Sequence, residues 1–189
     1  MLNNIIDYNK KLTARVKFGS LSKKIDTIKL ALPFPKNKEY RILQGNNTNF
    51  THNSDYSRYA IDFDLKTNDT ICAATSGYVI GVIDKYEFGG SGQEWQPFGN
   101  FITVFEPNSG LYTQYVHLVK NGSLIQIGDE ILVGQAIALS GNTGQSTTEH
   151  LHFNCLIPTD RSDGLKSIPI EFSNGYKGVA LKRGDKVKN

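Results

Sequence analysis

The sequence predicts a mainly β fold made of short antiparallel strands, and three observations carry that expectation. Short apolar segments either alternate with polar residues or are rich in β-branched side chains. They recur at intervals of about 8–12 residues, and Gly-, Asn- and Asp-bearing turns separate them. Helical periodicity is scarce throughout. The 189 residues are 39% hydrophobic and 21% charged, which excludes a disordered or fibrous chain. That length buries enough surface for one core without a disulfide scaffold.

Each element follows in order. Residues 15–18 and 25–32 are the first candidate strands, ended by Pro33-Phe34-Pro35. Residues 59–65 alternate over half their length, and residues 78–83 and 100–105 read as buried strands. Between the last two, residues 89–93 form a Gly-rich loop with little to pack. Residues 111–118, 130–133, 136–140 and 150–157 complete the strand set. Turns are expected at Asn108-Ser109-Gly110, Asn121-Gly122, Gly128-Asp129 and Gly141-Asn142-Thr143-Gly144. Residues 1–32, Lys-rich and free of chemical motifs, are set apart as an N-terminal extension, leaving residues 33–189 as the main domain.

The 21 Lys and Arg against 18 Asp and Glu leave a formal charge of +3, scattered along the chain. A nucleic-acid binder would cluster its basic residues on one face, so that class is set aside. The longest run of apolar residues and glycines, residues 77–83, falls far short of the ~20 needed to span a bilayer. The opening Met1-Leu2-Asn3-Asn4-Ile5-Ile6-Asp7 lacks the basic start and long apolar stretch of a secretory leader. Cys72 and Cys155 are far apart without C-x-x-C spacing; two buried thiols are expected, with one disulfide as the alternative.

The histidines carry the chemistry. In His150-Leu151-His152 the two imidazoles share one strand face, while Leu151 and Phe153 point to the other. Two neutral imidazoles so placed suit Zn²⁺, or a ligand beside a base. The preceding stretch of Gly and small polar residues, 140–147, lets backbone approach a ligand closely. Asp62 lies between Ile61 and Phe63, where a carboxylate is costly unless paired or metal-bound. A turn cap or a partner such as Arg58 would also account for it, and Asp64 competes from the same face. His117 ends a strand, where a histidine by itself is structural or exposed. His52, in the polar loop 46–57, taken alone reads as a surface residue.

Taken in order, these pieces resemble the lysostaphin/LytM-type zinc endopeptidases, which cut peptide cross-links in bacterial cell walls. The resemblance rests on Leu32-Pro33-Phe34, the loop His52, Tyr59-Ala60-Ile61-Asp62-Phe63 and Ala73-Ala74-Thr75-Ser76-Gly77-Tyr78-Val79. It continues through Tyr115-Val116-His117-Leu118 and from Gly141-Asn142-Thr143-Gly144 to His150-Leu151-His152-Phe153, covering residues 32–157. It implies one Zn²⁺ per chain held by His52, Asp62 and His152, with His117 and His150 as the catalytic imidazoles. It implies an antiparallel β-sheet metallopeptidase whose groove is walled by residues 46–57, 89–99 and 141–149. The implied substrate is a peptidoglycan peptide and the implied place of action extracytoplasmic, periplasmic or secreted.

The chain departs from the family pattern in three places. Arg58 stands where many members carry the first His, four residues before the Asp; His52 is ten residues ahead. Glu149 precedes the H-x-H, where an acid is expected to repel an anionic substrate or raise the pKa of His150. Phe98 occupies the loop position at which some members place a Tyr that stabilises the transition state, leaving Tyr86 as a substitute. The rival reading is a non-catalytic cell-wall-binding or regulatory relative, against which the retention of all five positions argues. A soluble metallohydrolase acting on a small peptide is a further alternative. Residues 127–138 look like the hybrid barrel of biotinyl-type carriers, but such carriers need an exposed Lys beside Met at a hairpin tip, and the only Met is Met1.

Overall fold

The structure is a computed structural model and describes Gly19, residues 29–160 and residues 164–189. The strand expected at residues 15–18 lies outside the described residues, as does the 25–32 segment up to residue 28. Among the described residues, sixteen strands follow in chain order. The first eight are β1 (Lys29–Leu30), β2 (Glu39–Gln44), β3 (Ile61–Phe63), β4 (Thr70–Cys72), β5 (Gly77–Ile83), β6 (Gly89–Gly90), β7 (Phe101–Glu106) and β8 (Leu111–Val116). The rest are β9 (Leu118–Ser123), β10 (Glu130–Ile131), β11 (Ala136–Ser140), β12 (Gly144–Gln145), β13 (Leu151–Pro158), β14 (Leu165–Ser167), β15 (Glu171–Phe172) and β16 (Lys186–Lys188). Among the described residues, helix is confined to two short 3-10 segments, Gln93–Phe98 and Gly178–Ala180.

The main sheet runs β10-β5-β7-β8-β13-β3-β2-β16, with β14 also on β13, and its pairings are antiparallel. A second antiparallel sheet, β4-β11-β9, lies beside it. Two two-residue pairs, β1 with β15 and β6 with β12, are parallel. The fold is therefore mainly antiparallel β, as the alternation and turn chemistry lead one to expect.

Strand β13 shows why the sheet has two unlike faces. Leu151, Phe153 and Cys155 enter the buried core, while His152 and Asn154 stand on the opposite face, as a period of two requires. On the core side Phe153 packs against Tyr115, centroids 5.3 Å apart, and against Phe172 at 6.4 Å. Phe172 meets Phe63 at 6.2 Å, and Phe63 meets Phe34 at 5.6 Å. The buried Tyr115 hydroxyl accepts hydrogen bonds from the Ala74 N–H at 2.7 Å and the Thr113 hydroxyl at 3.2 Å, so its polar end is satisfied. Leu30 and Leu32 are part of this core, so residues 29–32 pack with the sheet. Both cysteines are buried and free, which selects two thiols over the disulfide.

Three differences from the expected elements have physical causes. The strand expected over 111–118 breaks at His117, whose φ of 67° is left-handed, and restarts as β9. The turn expected at Asn121-Gly122 lies inside β9. Both ends of β9 pair with β11, Ser123 with Ala138 and Leu118 with Ser140, so the surplus residues bulge instead of reversing the chain. Strands β2, β4, β6, β12 and β14–β16 have no counterpart among the expected strands, β6 lying in the expected Gly-rich loop and β12 starting at the end of the expected 141–144 turn. They are short or mostly polar: in Glu39–Gln44 only Ile42 is buried, which leaves no alternation to read.

Candidate metal and catalytic site

Antiparallel pairing sets Asp62 of β3 opposite His152 of β13. Asp62 Oδ1 lies 2.9 Å from His152 Nδ1. His52 reaches the same point from the loop between β2 and β3. Its Nε2 is 3.2 Å from Asp62 Oδ1 and 3.2 Å from His152 Nδ1. Local hydrogen bonds bring the loop there. Gln44 Nε2 donates to the hydroxyls of Thr48 and Thr51 at 2.7 and 2.9 Å. Asn46 Nδ2 donates to the carbonyls of Tyr59 and Ala60, both at 2.9 Å. His52 is consequently fully buried, in contrast to the surface position that its polar loop suggests.

His52 Nδ1 lies 2.8 Å from the Gly45 carbonyl. A carbonyl only accepts, so Nδ1 carries the proton, and in the neutral ring the Nε2 lone pair faces Asp62. Two acceptors then confront each other across 3.2 Å, an arrangement that a cation or an added proton reconciles. The three donor atoms form a triangle with sides of 2.9–3.2 Å. Tetrahedral zinc, with bonds of about 2.0–2.2 Å, asks for ligand atoms roughly 3.3 Å apart. Two imidazole nitrogens and a carboxylate oxygen also suit zinc chemically. His52, Asp62 and His152 therefore fit such an ion, and they form a metal-compatible group among the described residues.

The other two histidines complete the cluster. His150 Nδ1 lies 2.8 Å from the Thr148 carbonyl and 3.3 Å from the Ser146 hydroxyl. His117 Nδ1 lies 2.7 Å from the Thr143 carbonyl. In both rings the carbonyl holds the proton on Nδ1 and leaves the lone pair on Nε2. His150 Nε2 is 3.8 Å from Asp62 Oδ1. The His117 ring centroid is 4.5 Å from that of His150 and 5.9 Å from that of His152. All four histidines of the sequence thus gather around one buried carboxylate.

Charge follows from this crowding. Complete burial alone would favour a neutral Asp62, but the charge of His150 and hydrogen bonds from His152 and His52 hold its carboxyl well below the ordinary range. Burial opposes a charge on His52, yet the hydrogen bond and charge of Asp62, with the Gly45 carbonyl, outweigh it and raise the pKa. Burial, then repulsion from His150 and His152, push His117 down to about 3. Its imidazole is neutral at pH 7 and available as a proton acceptor.

The competing partners of Asp62 lie elsewhere. Asp64 pairs with Lys66 at 2.7 Å, and Arg58 with Asp55 at 3.5 Å. The Glu149 carboxylate accepts the Thr67 N–H at 3.1 Å, in the loop after β3. Phe98 and Tyr86 stand edge to face, centroids 5.3 Å apart, in the wall formed by residues 86–98. Pairing of β6 with β12 ties that wall to residues 144–145. Gly45, Thr143, Ser146 and Thr148, which orient the rings, escape a reading based on titratable residues. The Gly-rich stretch 140–147 was the one visible signal for Thr143 and Ser146, and nothing in the sequence marked Gly45 or Thr148.

Two predictions arise here. A Cβ at Gly45 would lie 2.3 Å from the Leu181 carbonyl oxygen, so Gly45→Ala must displace the backbone that holds His52 Nδ1. Metal affinity, measured by chelator competition, is expected to fall by roughly 10–100-fold, and unchanged affinity would show that the contact is dispensable. Cys155, on the core face and paired across to Thr113, has its thiol pushed up to about 12 by burial. Cys155→Ser is expected to leave metal content unchanged while costing about 1–3 kcal/mol of stability for the buried hydroxyl. Metal loss from a folded variant would contradict the register of β13.

An antiparallel sheet bearing a metal-compatible donor set on one face is the architecture of a β-sheet metallopeptidase. Residues 56–163 match Peptidase family M23, more than half of the chain, and the chain belongs to that family. It is 32% identical over 120 residues to lysostaphin of Staphylococcus simulans, covering 62% of this chain and 22% of lysostaphin. It is 42% identical over 73 residues to the peptidoglycan DD-endopeptidase ShyB of Vibrio cholerae, covering 38% of this chain and 16% of ShyB. The chain thus spans less than a quarter of either relative. Its fold is similar to that of a zinc containing peptidase from Vibrio cholerae, with a TM-score of 0.52 and 23% identity over 83% of this chain and 41% of that one.

Proposed function

We propose that this chain is a zinc-dependent endopeptidase that hydrolyses peptide cross-links of bacterial peptidoglycan and acts outside the cytoplasm. One observation carries the reading: three zinc-type donors converge beside two further imidazoles whose tautomers are set by carbonyls. Membership of Peptidase family M23 supports it, as do the relatives named lysostaphin and peptidoglycan DD-endopeptidase.

In this reading His52, Asp62 and His152 hold the ion. Bound there, zinc supplies Lewis-acid polarisation of the scissile carbonyl and lowers the pKa of a coordinated water toward about 7. His117 and His150 each present Nε2 while Nδ1–H stays tied to Thr143 or Thr148. One of them accepts the proton of the attacking water and returns it to the leaving amine. The other, once protonated, donates a hydrogen bond to the developing oxyanion. The carbonyl anchors keep both rings from turning during the transfer.

The test pairs metal analysis with product analysis. Elemental analysis is expected to find one zinc per chain. Mass spectrometry of soluble fragments from purified peptidoglycan is expected to show newly freed peptide termini, lost on chelation and restored by zinc. A folded, zinc-loaded protein that binds the wall and releases nothing would instead identify a binding or regulatory relative.

A further inference from the structure

The backbone at His117 is left-handed, with φ at 67°, a conformation disfavoured for a residue with a Cβ. Such a residue persists only where its surroundings over-determine it. Here the surroundings converge on Thr143, which is 2% exposed. The Thr143 hydroxyl donates to the Leu118 carbonyl at 2.8 Å, gripping the peptide just after the kink. The same hydroxyl accepts the Asn100 N–H at 3.0 Å, at the start of β7. The Thr143 carbonyl accepts the His117 Nδ1–H at 2.7 Å. One residue therefore holds the ring of His117 through its carbonyl and, through its hydroxyl, the main chain of Leu118 that follows the kink.

Asn100 reinforces the grip without duplicating it. Its side-chain Nδ2 also donates to the Leu118 carbonyl, at 3.1 Å, and its carbonyl accepts the Leu118 N–H at 3.3 Å. Neither Asn100 nor Leu118 touches the His117 ring through these bonds. Threonine suits the position because its branched Cβ limits χ1 and its hydroxyl donates and accepts at once. Valine has the same shape but leaves the Asn100 N–H without this partner. The Leu118 carbonyl would still keep Asn100 Nδ2, so a valine variant disturbs the kink more than the fold.

We propose that Thr143 is a positioning residue for the reaction, locking the left-handed turn and the Nδ1–H tautomer of His117 so that Nε2 is the nitrogen offered to the water. The inference rests on the peptidase reading above and adds to it the residue through which His117 acts.

The experiment compares wild type, Thr143→Val and Thr143→Ser, all zinc-loaded, on dye-labelled peptidoglycan sacculi. Long-range proton–nitrogen NMR of the histidine rings is recorded on the same samples. Wild type is expected to show the Nδ1–H tautomer at His117. Thr143→Val is expected to lose roughly 10–10²-fold in maximal rate, the scale of a misplaced catalytic group. Its half-saturating substrate level and zinc content should stay unchanged, and its His117 signals should move toward a tautomer mixture. Thr143→Ser, which keeps the hydroxyl, should recover most of the rate. A valine variant with wild-type rate, a slow one with unaltered His117 signals, or a serine variant as slow as valine would overturn the role. If the valine variant fails to fold, the wild-type spectrum decides, since an Nε2–H tautomer at His117 contradicts the proposal outright. A wild type without peptidase activity overturns the function itself, and that failure is visible before any variant is compared.

Discussion

Replacing His152 by alanine is expected to strip the protein of zinc and reduce its peptidase activity to background, whereas replacing His150 is expected to leave zinc in place and lose only the rate. The two residues are two apart on one strand face, yet their nitrogens meet different partners. His152 Nδ1 sits 2.9 Å from Asp62 Oδ1 and 3.2 Å from His52 Nε2, inside the donor triangle. His150 Nδ1 is held by the Thr148 carbonyl, and its Nε2 stands 3.8 Å from Asp62. His52→Ala and Asp62→Ala should behave like His152→Ala, and His117→Ala like His150→Ala. Loss of a general acid–base or oxyanion group is worth roughly 10²–10⁴-fold in rate. Zinc content measured beside activity in all five variants checks the assignment. Zinc lost from His150→Ala but kept by His152→Ala would reverse the pair, and five variants retaining both would place the chemistry elsewhere.

Phe153→Ala is the second large effect, and it falls on stability. The ring is completely buried, wedged between Tyr115 at 5.3 Å and Phe172 at 6.4 Å. Truncating such a residue leaves a cavity as well as losing transfer energy, at about 3–5 kcal/mol. For a chain of this size that is a fall of roughly 6–20 °C in Tm. Phe153 faces the core while His152 faces the groove, so the variant should still bind zinc well below its melting temperature. Thermal unfolding followed by circular dichroism reads the first effect and metal analysis the second. A Tm within about 2 °C of wild type would mean that the core closes over the gap.

Much of the fold was legible because alternation reports on burial wherever a strand has one buried and one polar face. β13 carries that signal over residues 151–155, while β5, β7, β8 and β11 were legible as short runs of apolar, aromatic or β-branched residues. β2 and β16 were not legible: β2 buries only Ile42, and β16 is three residues long and reaches the sheet by pairing Val187 with Tyr40. The pair His150 and His152, at the start of β13, was legible for the same reason, as a period of two puts both rings on one face. The burial of His52 was not, because it depends on hydrogen bonds from Gln44 and Asn46 that close a polar loop, and only the family resemblance pointed to this residue. The Asn121-Gly122 pair reads as a hairpin from its residues alone, and pairing of β9 with β11 makes it a bulge instead.

By itself, then, the sequence determined a mainly antiparallel β chain, the face shared by His150 and His152, the opposite face of Cys155, and an order of motifs resembling one peptidase family. These are properties of local period and residue type, which neighbours along the chain suffice to express. Residue pattern alone left Asp62 and Asp64 as alternatives, and the tertiary structure shows which carboxylate the histidines surround: Asp62 sits in register with His152, while Asp64 pairs with Lys66 outside the cluster. It also decided where each ring keeps its proton, because the carbonyls of Gly45, Thr143 and Thr148 that hold Nδ1 of His52, His117 and His150 are placed by the fold. A hydrogen-bond acceptor on the main chain has no residue type to announce it, so its aim exists only once the strands and loops have packed.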